Sequence, residues 1–221
     1  MSAKKSRKSR SKKIEPIKLL KKYGNYNNII EHCKTTARIA LLIAKQINKN
    51  KKQHKKRKVF NLEEVKNAAL LHDIDKALTL KRNVKKAIRL CEKLGIKKEK
   101  IREKTKHGLL GYEILKKEGL LKYARIAKQH VLHTILNKKT RPKTLLSKLI
   151  FYADKRAGDN KVLSINERFK LWKKRYKIKG EDLKRLLMAK KELLKLEKDI
   201  IAMTGLSKKE FEKLIREANE K

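Results

Sequence analysis

Apolar side chains recur every three or four residues along most of this chain, and little interrupts them. The 221 residues include two prolines and eight glycines, too few turn formers for a many-stranded sandwich or barrel. The clearest stretch is NYNNIIEHCKTTARIALLIAKQIN, residues 25–48, where Ile29, Ile30, Cys33, Ala37, Ile39, Ala40, Ile43 and Ala44 fall at near-helical spacing. That spacing predicts a long amphipathic helix carrying His32. An all-α fold follows, sized for one substantial domain plus an appendage rather than two full domains.

Pro16 is placed to open a short helix reaching about Lys22, with Gly24 and Asn25 as the break. Lys49 to Lys58 reads as a polar loop. Asn61 with Glu64 resembles a capping box that starts a helix running into AALLHDIDKAL, residues 68–78. Residues 83–94 read as a helix ended by Gly95, and Thr105 as the opening of a helix to Gly119 with His107 in its first turn. Residues 121–136 read as one helix with His130 and His133 on one face. Pro142 is expected to start a helix whose apolar stripe ends at Asp154. Ser164 with Glu167 and Ser207 with Glu210 are capping boxes for helices near 165–177 and 208–219, with a long helix from Gly180 to about Met203 between them. The apolar residues of that long helix favour packing on their own domain; an oligomer interface is the alternative.

The net charge is +42, from 65 Lys and Arg against 23 Asp and Glu. Two blocks, 1–13 and 51–58, carry thirteen basic residues and no acid, and without them the balance is still +29. The bias therefore belongs to the whole chain. RNA or another polyanion is one implied partner; a lysine-rich proteome, in which lysine fills solvated positions, is the other reading. Cys33 and Cys91 have no CxxC or zinc-type spacing, which argues against a disulfide scaffold and fits a reducing cytoplasm. No apolar run approaches the ~18 to 20 residues of a membrane span, so a soluble protein with no membrane partner is expected.

Chemistry concentrates in an ordered set: His32, His72, Asp73, His107, His130, His133 and Asp154, each on or beside a mainly apolar helix. A lone buried histidine is usually a hydrogen-bonded core residue. Five of the six histidines share this placement, however, and polar groups are rarely put there without a partner. Neutral imidazoles and carboxylates are ligands for divalent metals, and one Asp can bridge two ions. Two ions roughly 3.5 to 4 Å apart would bind a bridging water and hold phosphate oxygens for in-line displacement.

His32, then His-Asp at His72 and Asp73, then Asp154, resemble the pattern of the HD-domain metal-dependent phosphohydrolases, over about residues 27–158. The contexts EHCKTTARIALLIA, ALLHDIDKA and KLIFYADK are similar to that family's segments around those ligands. The resemblance implies an HD-type helical bundle, assigned to 14–158; the charge pattern adds a disordered basic tail over 1–13, and the helices beyond Gly158 a basic C-terminal helical extension over 159–221. The resemblance also implies two metal ions, of Fe, Mn, Co, Ni or Zn with Mg as a further option. His32, His72, Asp73 and Asp154 would hold one, and Asp73, His107 and His130 the other. The implied activity is hydrolysis of a nucleotide or related phosphoester, with a dinucleoside polyphosphate as the leading guess. Asp73 would carry the catalytic role together with Lys76, whose ammonium would contact a substrate phosphate. Where the family often has HDIGK this chain has HDIDK. Asp75 could orient a ligand histidine, repel part of the substrate, or be a solvated helix-end acid. His133 could replace His130 as ligand, contact phosphate, or lie on the surface. Arg156, with Lys155, could add positive charge near the substrate, while His54 reads as a solvated loop residue. The competing function is an RNA-binding protein in which the HD core is structural or degenerate.

Overall fold

The computed structural model describes residues 14–50, 59–158 and 160–219. The basic blocks 1–13 and 51–58, with His54, lie outside the described residues. Among the described residues eleven α-helices follow one another: α1 (Pro16–Lys22), α2 (Asn27–Lys49), α3 (Leu62–Leu71), α4 (Val84–Lys93), α5 (Lys98–Lys104), α6 (Leu109–Lys117), α7 (Leu121–Gln129), α8 (Leu145–Arg156), α9 (Ile165–Arg175), α10 (Gly180–Thr204) and α11 (Lys208–Arg216). No strand occurs among them, only one antiparallel bridge between Ala157 and Val162. The fold is all-α, as the periodicity predicts.

Helix α2 is the axis of the structure, with α3, α8, α10 and α11 packed around it. Its Ile39, Ala40, Ile43 and Ala44 are fully buried, and each buried isoleucine stabilises the fold by about 1.5–3 kcal/mol. The same apolar core takes in Leu193, Leu196 and Ile200 of α10 and Phe211 and Ile215 of α11. Most of the apolar stripe on α10 thus packs on its own chain, while Leu187 and Met188 stay exposed. Among the described residues no helix is long and apolar enough to cross a membrane.

Helix starts follow the sequence signals where a side chain can cap. The Asn61 carboxamide oxygen accepts from the amides of Glu63 and Glu64, and the Ser164–Glu167 and Ser207–Glu210 boxes close in both directions. Helix α8 begins at a Thr144–Ser147 box rather than at Pro142.

Two expected helices are corrected. Thr105 closes α5 instead of opening α6, and α6 starts only after Gly108, whose φ is +78°. A Cβ at Gly108 would lie 2.7 Å from Val131 Cγ2 and 3.0 Å from the Ala127 carbonyl oxygen. The chain there passes so close to the end of α7 that glycine is required twice over. Residues 121–136 are likewise not one helix. Val131 is extended, and Thr134 Oγ1 donates to the carbonyls of Gln129 and Val131 at 2.6 and 2.7 Å. The hydroxyl engages carbonyls the helix would otherwise use, so α7 stops at Gln129 and a 3-10 turn follows over Leu132–Leu136.

Candidate metal centre

Five separate segments deliver the site. His32 comes from α2, His72 and Asp73 from the end of α3, His107 from the turn before α6, His130 from the end of α7 and Asp154 from α8. All except His107 are buried. Each histidine is held by its Nδ1–H, which donates to a fixed acceptor: His32 to the Gly158 carbonyl at 3.1 Å, His72 to Ala69 at 2.7 Å, His130 to Ala127 at 2.6 Å and His107 to Asp75 Oδ1 at 3.0 Å. A carbonyl can only accept, so in the neutral rings the hydrogen sits on Nδ1 and the Nε2 lone pair faces the centre.

The inward atoms form two groups. His32 Nε2 lies 3.0 Å from Asp154 Oδ1 and 3.7 Å from Asp73 Oδ2, and His72 Nε2 lies 3.6 and 3.8 Å from the same two oxygens. On the other side His107 Nε2 and His130 Nε2 lie 3.1 and 3.0 Å from Asp73 Oδ1, and 3.1 Å from each other. Asp73 thus turns one oxygen to each pair of imidazoles. His72 Nε2 is shut off from solvent and has no hydrogen-bond partner. A buried acceptor left bare, beside acceptors that face one another, marks a centre built for cations. His32, His72 and Asp154 can hold an ion, and so can His72, Asp73 and His130.

The electrostatics agree. Burial would raise the Asp73 and Asp154 carboxyls, yet Lys76 and His72 beside Asp73, and Lys155 and His32 beside Asp154, hold both well below the usual range. Burial lowers His130 to about 4, so it is a neutral donor at physiological pH. Burial would also lower His107, but Asp75 and Asp73 outweigh it and raise it to about 9. Without a metal, this centre draws in a proton. The Lys76 ammonium stands 3.3 Å from His107 Nε2. Lys155 Nζ donates to Asp154 Oδ2 and, at 2.7 Å, to the His130 carbonyl.

Asp75 is no solvated acid. It is fully buried, and besides His107 it accepts from the amides of Gly108 and Gly111 at 2.7 and 3.0 Å. Its three donors bind the turn that carries His107, which is the orienting role among the readings left open.

Two expected substrate contacts lie elsewhere. Arg156 is 1% exposed and outside the pocket that opens on the cluster; its guanidinium is used by the Leu163 carbonyl, Tyr152, Glu197 and Glu212. Lys155, its neighbour, lines the pocket instead. His133 is exposed on the 3-10 turn and is not part of the lining. The break in α7 separates it from His130, the one of the two that faces Asp73. The sequence reading did not single out Arg168, Trp172, Arg175 and Tyr176, which line the same pocket. A usable signal exists for them: positions i, i+4, i+7 and i+8 put alternating basic and aromatic side chains on one face of α9.

An all-α bundle with a buried histidine–aspartate centre able to take divalent ions defines the class. The family model described as HD domain matches residues 29–159, and the chain belongs to the HD-domain family, whose members are generally metal-dependent hydrolases. No match was found among the curated proteins or the solved structures.

Proposed function

We propose that this protein is a metal-dependent phosphohydrolase acting on a nucleotide or related phosphoester, with a dinucleoside polyphosphate as the leading candidate. The division of Asp73 between two histidine pairs carries the reading. On it, His32, His72, Asp73 and Asp154 hold one ion, and Asp73, His107 and His130 a second, with Asp73 shared. The donor set is imidazole and carboxylate, which suits Fe, Mn, Co, Ni or Zn. Bound there, such ions polarise phosphate oxygens and lower the pKa of a water toward neutrality.

The chain's own groups set the conditions for that chemistry. The Nδ1 hydrogen bonds fix each imidazole in the tautomer that presents Nε2. Three buried carboxylates, Asp73, Asp75 and Asp154, outnumber the ammonium groups of Lys76 and Lys155 by one. With two divalent ions held there the sign would be reversed, which would favour a phosphate anion. Lys155 is tied to Asp154 and the His130 carbonyl, where it fixes the ligand-bearing segments. Lys76 lines the pocket and is the ammonium placed to meet a phosphate oxygen.

The test is phosphate release from mononucleotides, dinucleoside polyphosphates and short RNA with Mn²⁺ or Co²⁺ added, wild type against Asp73→Ala. Metal-dependent turnover should fall beyond the roughly 10- to 100-fold typical of losing a group behind a metal ligand. Equal turnover in the variant would overturn the reading.

A further inference from the structure

The pocket over the centre is far larger than one phosphate needs. Its volume is about 910 Å³, near the upper end for small-molecule sites. Away from the histidines, one wall is the face of α9 formed by Arg168, Trp172 and Arg175. Ile165 and Phe169, one turn apart and flanking that face, are buried and anchor α9 in the protein interior. The Phe169 and Trp172 rings meet at 5.1 Å and 58°, which steadies the indole.

Arg168 is the anomalous residue on that wall. Its guanidinium lies 4.9 Å from the centre of the Trp172 ring. Its Nε is screened from solvent and has no hydrogen-bond partner, and no ion pair involving it occurs among the described residues. A shielded guanidinium N–H without an acceptor is costly, and its planar fork matches phosphate geometry. Arg168 and Arg175, two cations lining the same pocket with no ion pair among the described residues, suit an anionic guest. Beside them the Trp172 ring offers the flat apolar surface on which a nucleobase stacks.

We propose that the Arg168–Trp172 face of α9 is a specificity subsite that takes a nucleobase on Trp172 and a second phosphate on Arg168. The substrate class is then a nucleotide with at least two phosphates, one over the metal centre and one against α9. This rests on the phosphohydrolase reading for the role of the centre, but the subsite can be tested alone.

Trp172 is the single tryptophan of the chain, so its fluorescence reports on this wall alone. Full-length protein is titrated with ADP, AMP and inorganic pyrophosphate, as wild type, Arg168→Gln, Arg168→Lys and Trp172→Leu, with circular dichroism to confirm folding. In the wild type ADP quenches Trp172 more strongly than pyrophosphate at saturation and binds more tightly than AMP. Arg168→Gln weakens ADP binding about tenfold or more and AMP binding less, and Arg168→Lys restores part of the loss. In turnover assays with Mn²⁺, Arg168→Gln and Trp172→Leu raise KM for nucleotides more than they lower kcat. If nucleotides are hydrolysed but neither variant changes ADP affinity or KM, the subsite is wrong and the phosphohydrolase reading stands. If ADP quenches Trp172 in an Arg168-dependent way while no phosphoester is turned over, the subsite stands and the phosphohydrolase reading fails.

Discussion

Asp75 shows how one residue can be visible in a sequence while its state is not. A second carboxylate two positions after the His-Asp pair looks like a helix-end acid, because the donors that bury it lie 32, 33 and 36 residues further on. The adjacent pair itself was legible, since two inward side chains at the end of an apolar helix have few other uses. Gly111 completes the arrangement: a Cβ there would come within 3.2 Å of the Asp75 carboxyl, so the acid and the glycine fit together. Asp75→Asn keeps the shape and removes the charge that holds His107 in its tautomer. Mn²⁺ affinity, followed by calorimetry, should fall roughly 10- to 100-fold. The same variant has a pH signature. His107 is raised from 6.5 to about 9 in the metal-free protein, so its contribution to stability is complete below pH 6.5 and is lost as pH rises through about 9. Thermal melting in chelator should therefore show stability draining from the wild type across that window, with a flatter profile in Asp75→Asn. Identical profiles and unchanged Mn²⁺ affinity would deny Asp75 this role.

At the scale of elements, periodicity was enough to place α2, α8 and the long α10 to within a few residues, because each carries a sustained apolar stripe. The breaks at Gly108 and after Gln129 were not legible. They arise from contact between two segments, the Gly108 turn and the end of α7, and no local pattern encodes that contact. Arg156 was misread for a related reason. A basic residue at a helix end looks solvated, yet this one faces Glu197 of α10 and Glu212 of α11 at 3.2 and 2.8 Å. It joins the helix that carries Asp154 to the C-terminal helices. Removing it leaves Glu197, itself 5% exposed, as a buried unpaired charge, so Arg156→Ala should cost about 3–5 kcal/mol of stability in urea unfolding. A substrate-contacting arginine would instead raise KM with little change in stability, and that pattern would restore the original reading.

At the scale of the whole molecule, the C-terminal helices cannot be regarded as an added tail. Leu193, Phe211 and Ile215 are fully buried in the core that α2 organises, and burying three such side chains is worth about 5–9 kcal/mol, comparable to the whole stability of an ordinary domain. The same segment supplies one wall of the pocket, so α9–α11 serve both the core and the site. The charge of +42 extends beyond this region. A second groove, lined by Lys138, Arg141, Lys143, Lys148 and Lys195 against Glu192 and Asp199, concentrates positive charge away from the metal centre. Polyanion binding by such a surface follows counterion release: the logarithm of the affinity falls linearly with the logarithm of salt, with a slope of about −0.7 per phosphate contacted on a single strand. A 20-nucleotide RNA should therefore bind with a slope between about −2 and −4, the value for three to five contacts. Asp73→Ala should leave that affinity intact, because Asp73 is not part of this groove. Charge-reversing Lys143→Glu with Lys148→Glu should flatten the slope by more than one contact. If RNA binding is absent at moderate salt, the surface charge has no polyanion-binding role; if binding is lost with Asp73, RNA meets this protein only through the metal centre.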